Sequence, residues 1–594
     1  MEGHLAARRR RRLPGSGTGR RAAGLTASGA AGALVLAGLV AVGPSATAAP
    51  TPDCAAPFPV AEVASGAPVH GLTVSKGTTP QAFTGEVLGV LSDGIGPDLD
   101  MIVAELHSPA IDAAGGIWQG MSGSPVYAED GRLIGAVAYG LAFGSSPVAG
   151  ITPFEDMQGY LGAAKAAPEV AVGTRLAARI AAETDVTRSE AAQGLRQLPM
   201  PMGVGGIDLA RARTAVKAAG GSELVTPDSY RIGRSSGTAA AGIDTVVAGG
   251  NVGAVLSHGD ISLAGIGTAT SVCGDRVVAF GHPLNFTGRT RLGLAAADAV
   301  YVQEDPLGVP FKVANLGELG GTVTDDRLAG IAGTFGASPA PTSVRSKVTY
   351  HSRSRTGTTH VLDPSALGDV TLLAGVANHD RVVDGVIGGS ETHAWTITGT
   401  RSGSPFTLRY ADRYQAPADV GSTGAFDLAT VVATLSSISN VTLTGVTNAV
   451  AVSDNAMRHR VVKIQQRTGG RWVDVTGRTA KVRAGKTLVL RTQLLGSDGR
   501  TRSVFREEIA IPKRLKGQSG VVSVVGGNTY QDEFYGPTSF ASVQRLLQGN
   551  LRNDEMQLSL VIGGGRTAFE RTRTSDVLTR VVVGQKHLRV RVTS

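Results

Sequence analysis

From residue 60 onward the apolar residues come in short runs rich in Val, Ile, Leu and Thr, each broken by glycine, proline or Asp-Gly. "FTGEVLGVL", "DMIVAEL" and "SPVYAEDGRLIGAVAYG" follow one another in this way, and "IDTVVAGG", "NVGAVLSHG" and "ISLAGIGTATSVCGDRVVAF" repeat it after residue 240. β-branched residues suit a pleated, half-buried surface, and glycine permits the turns between strands. The Asp130-Gly131 pair lies between two apolar runs, where glycine tolerates the positive φ of a hairpin turn. With 81 glycines in 594 residues, the chain reads as mainly β. It is too long for one ordinary core, so several domains are expected.

The first 49 residues stand apart. A basic start, "RRRRRLPGSGTGRR", is followed by the apolar "AAGLTASGAAGALVLAGLVAV" and by small residues in which Ala46 and Ala48 fit an A-x-A cleavage pattern. This is the layout of a signal peptide, with the mature chain starting near Ala49 or Pro50. The segment holds seven arginines and one glutamate, so the formal charge of +9 falls to about +3 without it. The basicity therefore belongs mostly to targeting and does not call for nucleic acid. No second apolar run reaches membrane-span length, which limits membrane contact to the signal segment. A secreted or cell-envelope, extracytoplasmic location is expected. There the two cysteines, Cys54 and Cys273, are expected to form a disulfide. No Cys/His spacing resembles a zinc site, and no cofactor is expected.

Along the mature chain, residues 50–160 read as short strands. Residues 161–235, Ala/Arg-rich, read as a partly helical connector. Strands resume over 236–400, and 401–594 reads as a C-terminal β-sandwich from its alternating pattern and regularly spaced turns. Between Arg458 and Lys516 sixteen Lys/Arg face four Asp/Glu. Such an excess suits an anionic partner such as a cell-wall polymer, or is simply the solvated face of a sandwich.

The chemistry centres on "GIWQGMSGSPVYAEDGRLIGAVAYG", residues 116–140. A hydroxyl nucleophile needs a sharp turn, nearby N–H groups for an oxyanion, and an imidazole to take its proton. Glycines at 120 and 123 permit the turn at Ser122, and the N–H groups of Gly120 and Ser122 can converge on one oxygen. The stretch resembles the Ser-bearing strand pair of trypsin-like peptidases. More closely, "GGIWQGMSGSP" resembles the SpoIVB (stage IV sporulation protein B) peptidase family, in which G-M-S-G-S-P carries the nucleophile. "GDISLAGIGTATSVCGDRVVAFGHPL" and "GELGGTVTDDRLAGIAG" are similar to that family's histidine segment and its continuation.

The resemblance implies a trypsin-like double β-barrel, a serine endopeptidase activity on protein or peptide substrates, Ser122 as nucleophile and His282 as general base. It also implies a circular permutation, because here the serine segment precedes the histidine segment. For the acid, the family position about fifteen residues before the serine is His107 in this chain. Asp100, in "DLDMIVAEL", is the first choice, with Asp112 and Asp326 as others, and a Ser–His dyad remains open. The competing function is a non-catalytic cell-envelope binding protein that keeps the peptidase fold.

Overall fold

Within the first block of strands, alternation and turn chemistry produce a closed figure. The computed structural model describes residues 55–594 except 142–143, 160–168, 171, 185, 199–201, 235–239, 306–308, 530–533, 535 and 566–567. The expected signal segment, residues 1–49, and Cys54 lie outside the described residues. Strands β1 (Pro68–Thr73), β2 (Gln81–Gly96), β3 (Leu99–His107), β4 (Pro125–Ala128), β5 (Leu133–Leu141) and β6 (Val148–Pro153) pair in the order β4-β1-β2-β3-β6-β5. Strand β5 then pairs back with β4 and closes a six-stranded barrel. The β4–β5 hairpin turns at Asp130-Gly131, where Gly131 has φ +83° and the Asp130 carboxylate accepts from the Arg132 N–H. Every residue of β5 and β6 is buried, which explains their uninterrupted apolar character: both of their faces are covered.

The connector holds two helices of ten residues, α1 (Thr174–Glu183) and α2 (Leu209–Ala218). Asp208 caps α2, its carboxylate accepting from the N–H groups of Ala210 and Arg211.

A second barrel follows. Strands β7 (Asn251–Gly259), β8 (Ser262–Cys273), β9 (Arg276–Ala279), β10 (Gly288–Gln303), β11 (Phe311–Arg327) and β12 (Gly330–Phe335) run in the order β8-β9-β12-β11-β10-β7, and β7 pairs with β8 to close it. The long β10 and β11 stay in register only through several bulges, which supply the bending that closure needs. The expected double β-barrel is thus present, its serine half first in the chain.

From β7 the same sheet runs on beyond the barrel. β13 (Thr342–Tyr350), β14 (Arg353–Val361), β15 (Gly389–Arg401), β16 (Ser404–Ala416) and β17 (Val441–Ser453) extend it in the order β7-β14-β13-β17-β15-β16. Helices α3 (Leu367–Val383) and α4 (Val420–Ser436) pack against each other and against this layer. Here the architecture departs from the sequence reading. The boundary placed between 400 and 401 falls inside the β15–β16 hairpin, and two seventeen-residue helices occupy stretches without a clear helical stripe. Both are buried on most of their circumference, so their apolar residues do not concentrate on one face.

The sandwich itself begins at His459. One sheet comprises β18 (His459–Thr468), β19 (Arg471–Asp474), β20 (Thr487–Gly496) and β21 (Arg502–Ala510), in the order β19-β18-β20-β21, with a short fifth strand beside β18. A second five-stranded sheet packs on it around a core of its own that includes Ile464, Leu490, Val522, Leu558 and Val590.

Candidate active site

Ser122 sits in a turn that both barrels hold. Within the first barrel, Met121 N–H donates to Trp118 O and Gly123 N–H to Val137 O on β5. Ser124 Oγ donates to Met121 O at 2.6 Å. Gly120 and Gly123 take φ values of +92° and +96°, a conformation costly for any residue with a Cβ.

From the second barrel, Thr268 on β8 grips the turn at two points. Its N–H donates to Ser122 O at 2.8 Å and its Oγ1 to Gly120 O at 3.1 Å. Thr270 Oγ1 donates to Gly123 O at 2.8 Å. The approach is close enough that a Cβ on Gly123 would stand 1.9 Å from Thr268 O. Just upstream, Gln119 N–H donates to Pro310 O and Lys312 N–H to Gln119 O, so the entry to the turn is tied to the start of β11.

His282 follows β9 through a strained corner. Phe280, fully buried, has φ +74°, a region that bulky residues seldom occupy, and Gly281 has φ +71°. The corner is pinned to the first barrel by Thr152 Oγ1, which donates to Gly281 O at 2.6 Å.

This arrangement brings the two segments together. His282 Nε2 lies 2.9 Å from Ser122 Oγ, and His282 Nδ1 lies 2.8 Å from Pro283 O. A carbonyl oxygen can only accept, so Nδ1 carries the proton, Nε2 is bare, and the Ser122 hydroxyl donates to it. Both side chains are fully buried. Burial pushes the imidazole pKa down to about 4, so the ring is neutral over the physiological range.

The carboxylates are placed otherwise. Asp100, on β3 next to the β2–β3 turn, accepts from Asp93 N–H at 2.8 Å and is not brought to the imidazole. The Nδ1 position, where an acid would stand, faces the Pro283 carbonyl. His107, half-exposed, lies 3.3 Å from Glu105 and 3.6 Å from Asp112. Asp326, fully buried on β11, accepts from the N–H groups of Leu284 at 2.7 Å, Asn285 at 2.8 Å and Thr287 at 3.2 Å. It therefore clamps the loop that leaves His282 without touching the ring in the manner of a triad acid.

Two features of the site lie beyond what the sequence singles out. Thr268 and Thr270 look like ordinary strand residues in "GIGTAT". Lys312 is 1 % exposed, donates from Nζ to Asn251 Oδ1 at 2.8 Å, and packs its stem on Gly120. A charged residue in "VPFKVANL" gives no hint of such burial. Gly120 and Ser122 N–H have no hydrogen-bond partner among the described residues, whereas those of the intervening Met121 and the following Gly123 are taken.

No curated protein and no solved structure matches the chain. The SpoIVB peptidase S55 family model matches residues 43–154, ending before the histidine segment. The stretch of the chain that builds the first barrel and carries Ser122 is thus similar to the SpoIVB peptidase S55 family, a family of peptidases.

Proposed function

We propose that the protein is a secreted serine endopeptidase. Ser122 attacks a peptide carbonyl, His282 Nε2 accepts the hydroxyl proton, and the N–H groups of Gly120 and Ser122 bind the oxyanion. The imidazolium then protonates the leaving amine, and a water molecule, deprotonated by the same nitrogen, releases the acyl group from Ser122. The observation that carries this reading is the 2.9 Å contact between a serine on one barrel and a bare imidazole nitrogen on the other. Two N–H groups at the turn, those of Gly120 and Ser122, have no partner among the described residues and support it, because oxyanion donors must not be engaged by the protein itself. The tautomer is fixed by a main-chain carbonyl, so the site works as a dyad whose ring is oriented by its own chain. Export by residues 1–49 and a Cys54–Cys273 disulfide belong to the same proposal.

A fluorophosphonate probe tests the assignment. Wild type is labelled, and Ser122→Ala and His282→Ala are not; equal labelling of wild type and Ser122→Ala overturns it. One observation favours the non-catalytic alternative: Ser122 and His282 are both sealed from solvent, so a substrate needs the seam between the barrels to open. Absence of labelling and of proteolysis in a correctly folded wild type would establish that alternative.

A further inference from the structure

The outer face of the sheet β19-β18-β20-β21 carries more cations than its own acids balance. Strand register sets them in rows. One row across the sheet reads Asp474, Gln465, Arg491, Arg506. The rows beside it read Lys463, Gln493, Val504 and then Arg460, Leu495, Arg502. On the other side stand Trp472 and Arg467. A bulge between Val461 and Lys463 keeps Lys463 on the same side as Arg460. Arg460, Arg467, Arg502 and Arg506 are exposed, and Val504 among them is 58 % exposed, so this face is open.

Of the six cations, Lys463 pairs with Asp474 at 3.5 Å and Arg506 pairs with Glu508. Among the described residues, Arg460, Arg467, Arg491 and Arg502 have no acidic partner on the face. Arg491 stands directly across from Arg506, and like charges in that position destabilise a sheet. A fold does not need such a pair; a ligand that bridges the two relieves it. Arg491 is also held ready. Its guanidinium lies 4.4 Å over the Trp472 ring and its Nε donates to Gln465 Oε1 at 2.7 Å. A guanidinium fixed in this way loses little entropy on pairing with a carboxylate by two parallel hydrogen bonds.

We infer that this face binds an acidic polysaccharide. The surface is four strands wide, which suits an extended chain and not a compact ligand. Its guanidinium groups match carboxylates repeated along such a chain. Gln493 Nε2 donates to Gln465 Oε1 at 2.8 Å, which leaves Gln465 Nε2 and Gln493 Oε1 to match the hydroxyls between. Binding is independent of the Ser122 site.

The test uses the full chain with export segment removed, and measures retention on immobilised polygalacturonate. Neutral dextran, duplex DNA and phosphatidylglycerol vesicles are run alongside. Wild type is expected to bind the polyuronate in a salt-sensitive manner and to ignore dextran. The triple variant Arg491→Gln/Arg502→Gln/Arg506→Gln is expected to bind about tenfold more weakly or worse. Arg589→Gln/Arg591→Gln, two exposed arginines on the other sheet, is expected to change binding less than about twofold. Circular dichroism and melting confirm that each variant is folded. No binding by wild type, equal binding by the triple variant, or tighter retention on DNA or vesicles than on polyuronate overturns the proposal.

Discussion

His282 donates its Nδ1–H to the carbonyl oxygen of Pro283, the next residue in the chain, at 2.8 Å. The backbone conformation of the loop leaving His282 therefore sets the tilt of the ring and its tautomer. Whatever fixes that loop acts on the Ser122–His282 contact at one remove. Asp326 is the residue that fixes it.

Asp326→Asn is accordingly expected to lower kcat by about ten- to a hundredfold while KM changes little. Neutralising the carboxylate weakens its hydrogen bonds to Leu284, Asn285 and Thr287, at a cost of about 1–3 kcal/mol in stability. Asp100→Asn, which disturbs the hydrogen bond from Asp93 N–H on β2, is expected to leave kcat within about twofold. Steady-state kinetics on a peptide substrate decide between them; the reverse ranking would make Asp100 the working acid.

The buried imidazole has a pH signature. The native ring stays neutral down to about 4, whereas in the unfolded chain it takes up a proton near 6.5. Between those values the unfolded state holds more protons, so this group makes stability fall as pH falls from 6.5 toward 4. The base remains competent over that window. The acid limb of fluorophosphonate labelling is therefore expected below pH 6, and a limb at 6.5 or above would indicate a water-exposed ring.

Lys312 gives a second signature, in the alkaline range. Burial pushes its pKa down to about 7, against 10.5 for a free side chain. From pH 7 to 10 the unfolded chain again holds more protons, so stability rises with pH across that range. Lys312→Met retains most of the stem that packs on Gly120 and removes the ionisable group. Urea midpoints at pH 7, 8.5 and 9.5 are expected to climb more steeply in wild type than in the variant. Parallel curves would show that the ammonium is not desolvated in solution.

Gly123→Ala tests the seam between the barrels. The new methyl would meet Thr268 O at 1.9 Å in a backbone with φ +96°, so either the turn or β8 must move. A loss of about 2–4 kcal/mol and of labelling at Ser122 is expected. Gly131→Ala has a similar φ, +83°, but open space around it, and is expected to cost only about 1–2 kcal/mol with labelling retained. Chemical denaturation of the two variants makes the comparison.

The legible parts of this molecule are those with a local signature. The Asp130-Gly131 hairpin, the strand runs of both barrels and the two glycines around Ser122 follow from turn chemistry and alternation. The pairing of Ser122 with His282 followed from resemblance, since nothing local links residues 160 positions apart. The element standing in for the acid was not legible, because a main-chain carbonyl has no residue type to announce it. Nor were α3 and α4: "VGSTGAFDLATVVATLS" is rich in β-branched and small residues, and only burial between a sheet and a second helix makes it helical. Lys312 and the threonines of β8 take their roles from which barrel lies opposite them.

The order of the barrels also sets a clock on synthesis. The serine leaves the ribosome 160 residues ahead of the imidazole, and Asp326, which steadies the loop after the imidazole, later still. At ordinary elongation rates that interval is about 10–30 s. Throughout it the serine turn lacks both the imidazole and the Thr268 and Thr270 contacts of the finished fold, so under the proposed mechanism the emerging chain has no base at this site.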